Sequence, residues 1–335
     1  MTTLPSTFRS SGFALVTSLA TALAAALCLS GATAQDAGYP SKAVRIIVPA
    51  AAGSAADIVA RLLGERISKA SPHPWVIENR PGAGGTIGAD AVAKSVADGH
   101  ALLFTANNFI IAPSLFPTIP YDIYKDFTPI GLVATGQDGI FVNPDLKVKT
   151  LAELIALAKR TPGGIDYGAP FYGTSSHLIM EMLKRAAGAE FVFIPTSGGP
   201  QSFSEAVAGR VPVVIGSVFI GVGMVKTGRL NTLAIVDRKR SAQLPDVPTL
   251  SEAGYPALNL PFWFGLYGPA KLPAAIVQKV NRDMLQVLNS ADFAETLNGR
   301  GFFANPSTPA ELETTMRASQ PLFAKVISDA GIKPQ

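Results

Sequence analysis

Disulfide chemistry drops out first. The 335-residue chain has one cysteine, Cys28, and it lies in an apolar leader that export would remove. Histidine is nearly as scarce. His73, His100 and His177 stand far apart, with no His-x3-His spacing and no neighbouring cysteine, so no metal site is expected. Charged residues make up 16% and the formal net charge is +4. The one basic cluster, Arg238-Lys239-Arg240, reads as a solvated helix start, so nucleic acid is not an expected partner. Cofactor fingerprints are missing as well. "PGAGGTIGAD", Pro81 to Asp90, puts Ile87 where a dinucleotide-binding turn needs its third glycine, and no Gly-x4-Gly-Lys occurs. The stretch reads as a turn before a helix, and no cofactor is expected.

What remains is a chain that is 48% hydrophobic, rich enough for a large core and long enough for two domains. Its start reads as a secretory signal. Arg9 supplies the positive end, Phe13 to Leu29 is apolar, and Ala32-Thr33-Ala34 is a small-residue cleavage site. Removal of residues 1–34, with the mature chain beginning at Gln35, is expected. Lipoprotein processing at Cys28 is disfavoured because Leu27 precedes it.

Beyond the leader, short β-branched strands alternate with amphipathic helices. Strands are expected at Val44–Val48, Trp75–Glu78 and Ala101–Thr105, with helices at Ala56–Lys69 and Ala89–Ser95. A second series follows. "TLAELIALAKR" is a helix with Thr150 as N-cap, and "IDYGAP" is a strand running into a helix over Ser175–Ala187. "FVFIPTSGGP", "VPVVIGS", "NTLAIVD" and "FWFGLYGPA" read as further strands. Helices are expected at Gln201–Ala208, Gly221–Lys226, Ala274–Leu288 and Pro309–Asp329. The alternation argues for parallel α/β sheets in two lobes, with crossing strands near 132–142 and 262–268.

The stretch "FYGTSSHL", Phe171 to Leu178, sets two serines beside a histidine. A hydrolase would use Ser175 or Ser176 as nucleophile, but the Gly-x-Ser-x-Gly elbow is missing. Adjacent helical residues also project about 100° apart, so Ser176 and His177 do not naturally pair. A loop that becomes a helix at Gly173, Thr174 and Ser175 suits an anion better, because its first backbone N–H groups lack intrahelical acceptors. Ala52-Gly53-Ser54 and Ser197-Gly198-Gly199 are similar small, donor-rich loops between strand and helix. Together they suggest a ligand gripped across a cleft.

In "ENRPGAGGTIGADAVAKSVADG", "LVAT", "GTSSHL", "DVPTLSEAG", "WFGL" and "DAGIKP" the mature chain resembles the Bug family. These are the extracytoplasmic solute receptors of tripartite tricarboxylate transporters. The resemblance implies a two-lobed type II periplasmic binding-protein fold with two hinge-crossing strands, and a receptor with no catalytic residues. It would capture a small organic carboxylate, as a monomer, for membrane components of such a transporter or for sensing. Lobe boundaries are expected at 35–136 with 259–335, and at 137–258. The implied binding residues are Ala50, Ala52, Gly53, Ser54 and Asp57 in the first loop; Phe171, Tyr172, Gly173, Thr174, Ser175, Ser176 and His177 in the second; Thr196, Ser197, Gly198 and Gly199 in the third; and Ser217 and Trp263.

Several positions depart from the family pattern. Ala50, Thr196 and Gly216 are smaller than the family's residues, and an Asp-Asn pair is replaced by Gly216-Ser217. Phe171 and Tyr172 add aromatic surface. The expected ligand is therefore a bulkier, aromatic mono- or dicarboxylate in preference to aspartate or glutamate, because the replaced acid takes away a plausible partner for an ammonium. The alternative is that Phe171 and Tyr172 pack into their lobe and never reach the ligand.

Overall fold

The structure, a computed structural model, describes residues 1–2, 38–116 and 118–334. The leader, its cleavage site and Cys28 lie outside the described residues.

Two sheets organise the chain from Pro40 onward. The larger has six strands, β1 (Val44–Val48), β2 (Trp75–Asn79), β3 (Ala101–Ala106), β4 (Phe127–Gly136), β10 (Trp263–Pro269) and β11 (Phe302–Ala304), in the order β11-β4-β10-β3-β1-β2. The smaller has β5 (Asp138–Val142), β6 (Ile165–Pro170), β7 (Phe191–Thr196), β8 (Val213–Ser217) and β9 (Asn231–Val236), ordered β7-β6-β8-β5-β9.

The sheets are mixed, where alternation alone argues for parallel pairing. β1 is parallel to β2 and β3, and β6 to β7 and β8. The strands beside the crossings run the other way. β5 is antiparallel to β8 and β9, and β10 to β3 and β4. The physical reason is the crossing itself. β4 leaves the larger sheet at Gly136 and, after Gln137 alone, becomes β5 of the smaller sheet. A strand entering this way needs no helical crossover, so it lies antiparallel to the βα units already there. The chain returns through residues 237–262 into β10, where Gly136 N–H donates to Phe262 O and ties the two passages together.

The helices are α1 (Ala55–Ala70), α2 (Thr86–Ala93), α3 (Asn108–Leu115), α4 (Leu151–Arg160), α5 (Ser175–Ala187), α6 (Gly199–Val207), α7 (Val218–Lys226), α8 (Ala274–Leu288), α9 (Ala291–Asn298) and α10 (Pro309–Asp329). Side-chain caps fix several starts: Ser54 for α1, Thr150 for α4, Thr174 for α5, and a Thr308–Glu311 capping box for α10. The helix after the glycine turn starts at Thr86, three residues before the expected Ala89, because Gly84 and Gly85 supply the positive φ of the turn. α3 departs furthest from the sequence reading. Phe109, Ile110, Ile111, Ala112 and Leu115 are all buried, so it has no polar face to give a helical period.

Candidate ligand-binding cleft

Parallel strands of both sheets end at one place, and that decides where the site is. The chain turns from β1 into α1, β3 into α3, β6 into α5, β7 into α6 and β8 into α7. All five junctions border a single cavity. Its wall includes Ser54, Ala55 and Ala56 from α1 and its cap, Asn107 and Asn108 from α3, Thr174, Ser175 and Ser176 from α5, Gly199 from α6, and Ser217 and Ile220 at α7. Ligands of α/β folds bind at such strand ends. Each helix start offers first-turn N–H groups and a positive dipole end.

The loops from the two sheets meet across this space. A Cβ at Gly198 would lie 3.4 Å from the Ala51 Cβ, and one at Gly53 would lie 3.8 Å from Pro200 Cγ. Gly173 is tighter: with φ +80°, its Cβ would stand 2.0 Å from Leu115 Cδ1 of α3. Phe171 holds φ +56°, a costly conformation for a non-glycine residue, and its ring faces the cavity with Phe262 and Phe264.

Of the residues that the sequence suggests, Ala50, Ser54, Phe171, Thr174, Ser175, Ser176, Gly199 and Ser217 line the wall. Gly53, Gly173 and Gly198 shape it from behind by their backbone conformations. The others do not line it, and each has a physical reason. Ala52 is exposed on its loop. The Asp57 carboxylate is turned inward, accepting from Gly53 N at 2.9 Å, Arg61 Nε at 3.0 Å and Asn79 Nδ2 at 2.9 Å. Burial works to raise its pKa, but these donors outweigh it and hold the group below its ordinary value. Tyr172 packs on His177 and Phe193 and donates to Lys333 O. Aromatic surface is therefore added by Phe171 but not by Tyr172. Thr196 is spent on Ser202 and the Ala169 and Gly198 carbonyls, and Ser197 on Gln201. Trp263 is buried on the strand face opposite Phe264.

His177 also sits behind the wall. Its Nδ1 accepts from Gly173 N at 3.3 Å, its ring packs against Phe193, and burial pushes its pKa down to about 4. Among the described residues no hydrogen bond joins it to Ser175 or Ser176. The Ser176 hydroxyl instead donates to Asp138 Oδ2 at 2.6 Å. A nucleophile–base pair is not formed.

Asp138 is the residue that sequence reasoning missed. It is 3% exposed, opens β5, and is the one charged side chain among the described cavity-lining residues. Burial pushes its pKa up to about 6, with the Ser176 hydrogen bond acting against that rise. Its register partner across the ladder is Ser217, whose hydroxyl is buried in the same wall without a hydrogen-bond partner. The loss of the family's acid near Ser217 thus does not leave the cleft without one. The sequence signal was a lone aspartate between two apolar strand runs, "IGLVATG" and "GIFV". Asn107, Asn108, Thr105 and Phe264 were missed too; "TANNF" carries a strand end followed by a cap-type residue.

Two α/β lobes with a cleft between strand ends and helix starts are the architecture of periplasmic solute-binding proteins, and the solved relatives share it. BugD, solved as a periplasmic binding protein, matches 89% of the chain and all of its own length at 30% identity, TM-score 0.84. R. palustris Rpa4515, solved with adipate, covers the same shares at 30% identity and TM-score 0.86. Protein BugT of Bordetella pertussis is 32% identical over 297 residues, 88% of this chain and 91% of BugT. The family model for tripartite tricarboxylate transporter family receptors matches residues 59–328. The chain belongs to that family, a group of periplasmic solute-binding receptors.

Proposed function

We propose that the cleft captures a small organic carboxylate, performs no chemistry on it, and presents it to membrane components of a tripartite transporter or to a sensor. The observation that carries this reading is the convergence of five helix starts on a wall whose described residues include no lysine, arginine or histidine. A carboxylate can take several first-turn N–H groups there, with the dipole ends offsetting its charge. The bound adipate of Rpa4515 supports the ligand class. The wall residues named above are the binding set. The lobes divide at Gln137 and near residue 259, and the receptor acts as a monomer, exported after cleavage at Ala34.

The test is native mass spectrometry of the protein as purified, followed by a thermal-shift panel of carboxylates. A ligand at a hundredfold excess over its Kd stabilises the native state by about 2.7 kcal/mol. A retained or stabilising carboxylate is expected; stabilisation only by neutral or cationic compounds would end this reading.

A further inference from the structure

We infer that the Asp138 end of the cleft receives a cationic nitrogen, so that the ligand is a carboxylate that also carries an ammonium group. The inference rests on the carboxylate reading above and names the other end of the same ligand.

Three observations carry it. First, Asp138 and Ser217 face one another across the β5–β8 ladder and both line the cavity, 3% and 6% exposed. Second, the Ser217 hydroxyl has no protein partner. Unsatisfied buried hydroxyls are uncommon and cost stability, so one on a residue that lines a ligand cavity points to a ligand group. Third, the Asp138 carboxylate accepts from Ser176 Oγ at 2.6 Å on Oδ2, and among the described lining residues none is basic. A carboxylate at such a site repels a second anionic group and attracts a cation. An ammonium offers three donors and no acceptor, which suits a carboxylate oxygen and a serine oxygen together. A dianionic acid would instead bring a second negative charge against the first.

Phe171, Phe262 and Phe264 line the same cavity and offer the ligand's carbon chain apolar surface.

The experiment is calorimetry on the purified protein with matched pairs: succinate and aspartate, adipate and 2-aminoadipate, 3-phenylpropionate and phenylalanine. At neutral pH the amino member of at least one pair should bind tenfold or more tightly than its partner. Asp138→Asn keeps the shape and an oxygen for Ser176, and should abolish that preference, with the amine-free acid gaining affinity as the repelling charge is removed. Ser217→Ala should reduce the preference without removing it. Equal losses for both members in Asp138→Asn would make Asp138 a support for Ser176 and overturn the inference. Tighter binding of the amine-free acids would overturn it too, with the carboxylate reading intact. If no member of any pair binds, both readings fall.

Discussion

The two walls of the cleft are built alike and equipped differently. On the six-stranded side, the lining side chains Ser54, Asn107 and Asn108 are already committed to the fold. Ser54 Oγ caps α1 by accepting from Asp57 N, and Asn107 Nδ2 donates to Pro261 O. What this wall offers is backbone N–H groups and the rings of Phe262 and Phe264. On the five-stranded side, Asp138 brings a charge and Ser217 an uncommitted hydroxyl. One wall supplies a rigid seat and the other supplies choice. Changes to the first should alter how firmly any acid is held, and changes to the second should alter which acid is held.

The comparison breaks most visibly where the walls touch. Gly173→Ala forces a side chain into φ +80° and toward Leu115 Cδ1, so the lobes should no longer meet as they do. The conformational strain alone is about 1–2 kcal/mol. Affinity for every acid should fall tenfold or more, by calorimetry, and an unchanged affinity would show that the contact is not needed for binding.

The pH dependence of stability, small in net because it sets two buried groups of the five-stranded side against each other, is the next test. Asp138 rises from 3.8 to about 6, so its contribution is full below pH 3.8 and is lost as pH climbs to about 6. His177 falls from 6.5 to about 4, so its contribution is full above pH 6.5 and is lost as pH drops to about 4. Each shift corresponds to about 3 kcal/mol. The slopes oppose, and the unliganded protein should change little through these two groups between pH 4 and 6.5. Asp138→Asn should stabilise the protein at pH 7 and uncover a rising slope; His177→Gln should uncover a falling one. Urea melts across that range check both, and parallel curves for all three proteins would refute the pairing.

Smaller effects sharpen the contrast between walls. Ser54→Ala should cost about 1 kcal/mol of stability through the lost cap, with little change in ligand preference. Ser217→Ala removes a hydroxyl that satisfies nothing within the protein, so its thermal midpoint should hold while affinity for the preferred acid falls severalfold. The smallest expected effect is none: a fluorophosphonate should not label Ser175 or Ser176, and labelling seen by mass spectrometry would reopen the hydrolase.

The sequence was most informative where a residue's local role agrees with its final one. Thr150 is a cap in sequence and in structure, and the strand of β-branched residues at Val44–Val48 is β1. It failed where burial erases periodicity, as in α3, and where a residue's surroundings come from distant chain. Asp138 and Ser217 are neighbours only because β5 arrives from the other sheet and pairs antiparallel with β8. Nothing within a few residues of either announces that pairing. Tyr172 shows the converse. It sits next to Phe171, but Phe171 takes φ +56° and turns the following side chain toward His177 and the C-terminal Lys333.

The central claim is that helix starts, with no basic side chain, hold the anionic end of the ligand. A crystal structure of the protein with its retained or best-binding acid tests this directly. The carboxylate oxygens should lie within hydrogen-bond distance of first-turn N–H groups at Ala55–Ala56, Asn108 or Ser175–Ser176, with no lysine or arginine within about 4 Å. A carboxylate paired with a basic side chain, or seated outside this cleft, would contradict the account.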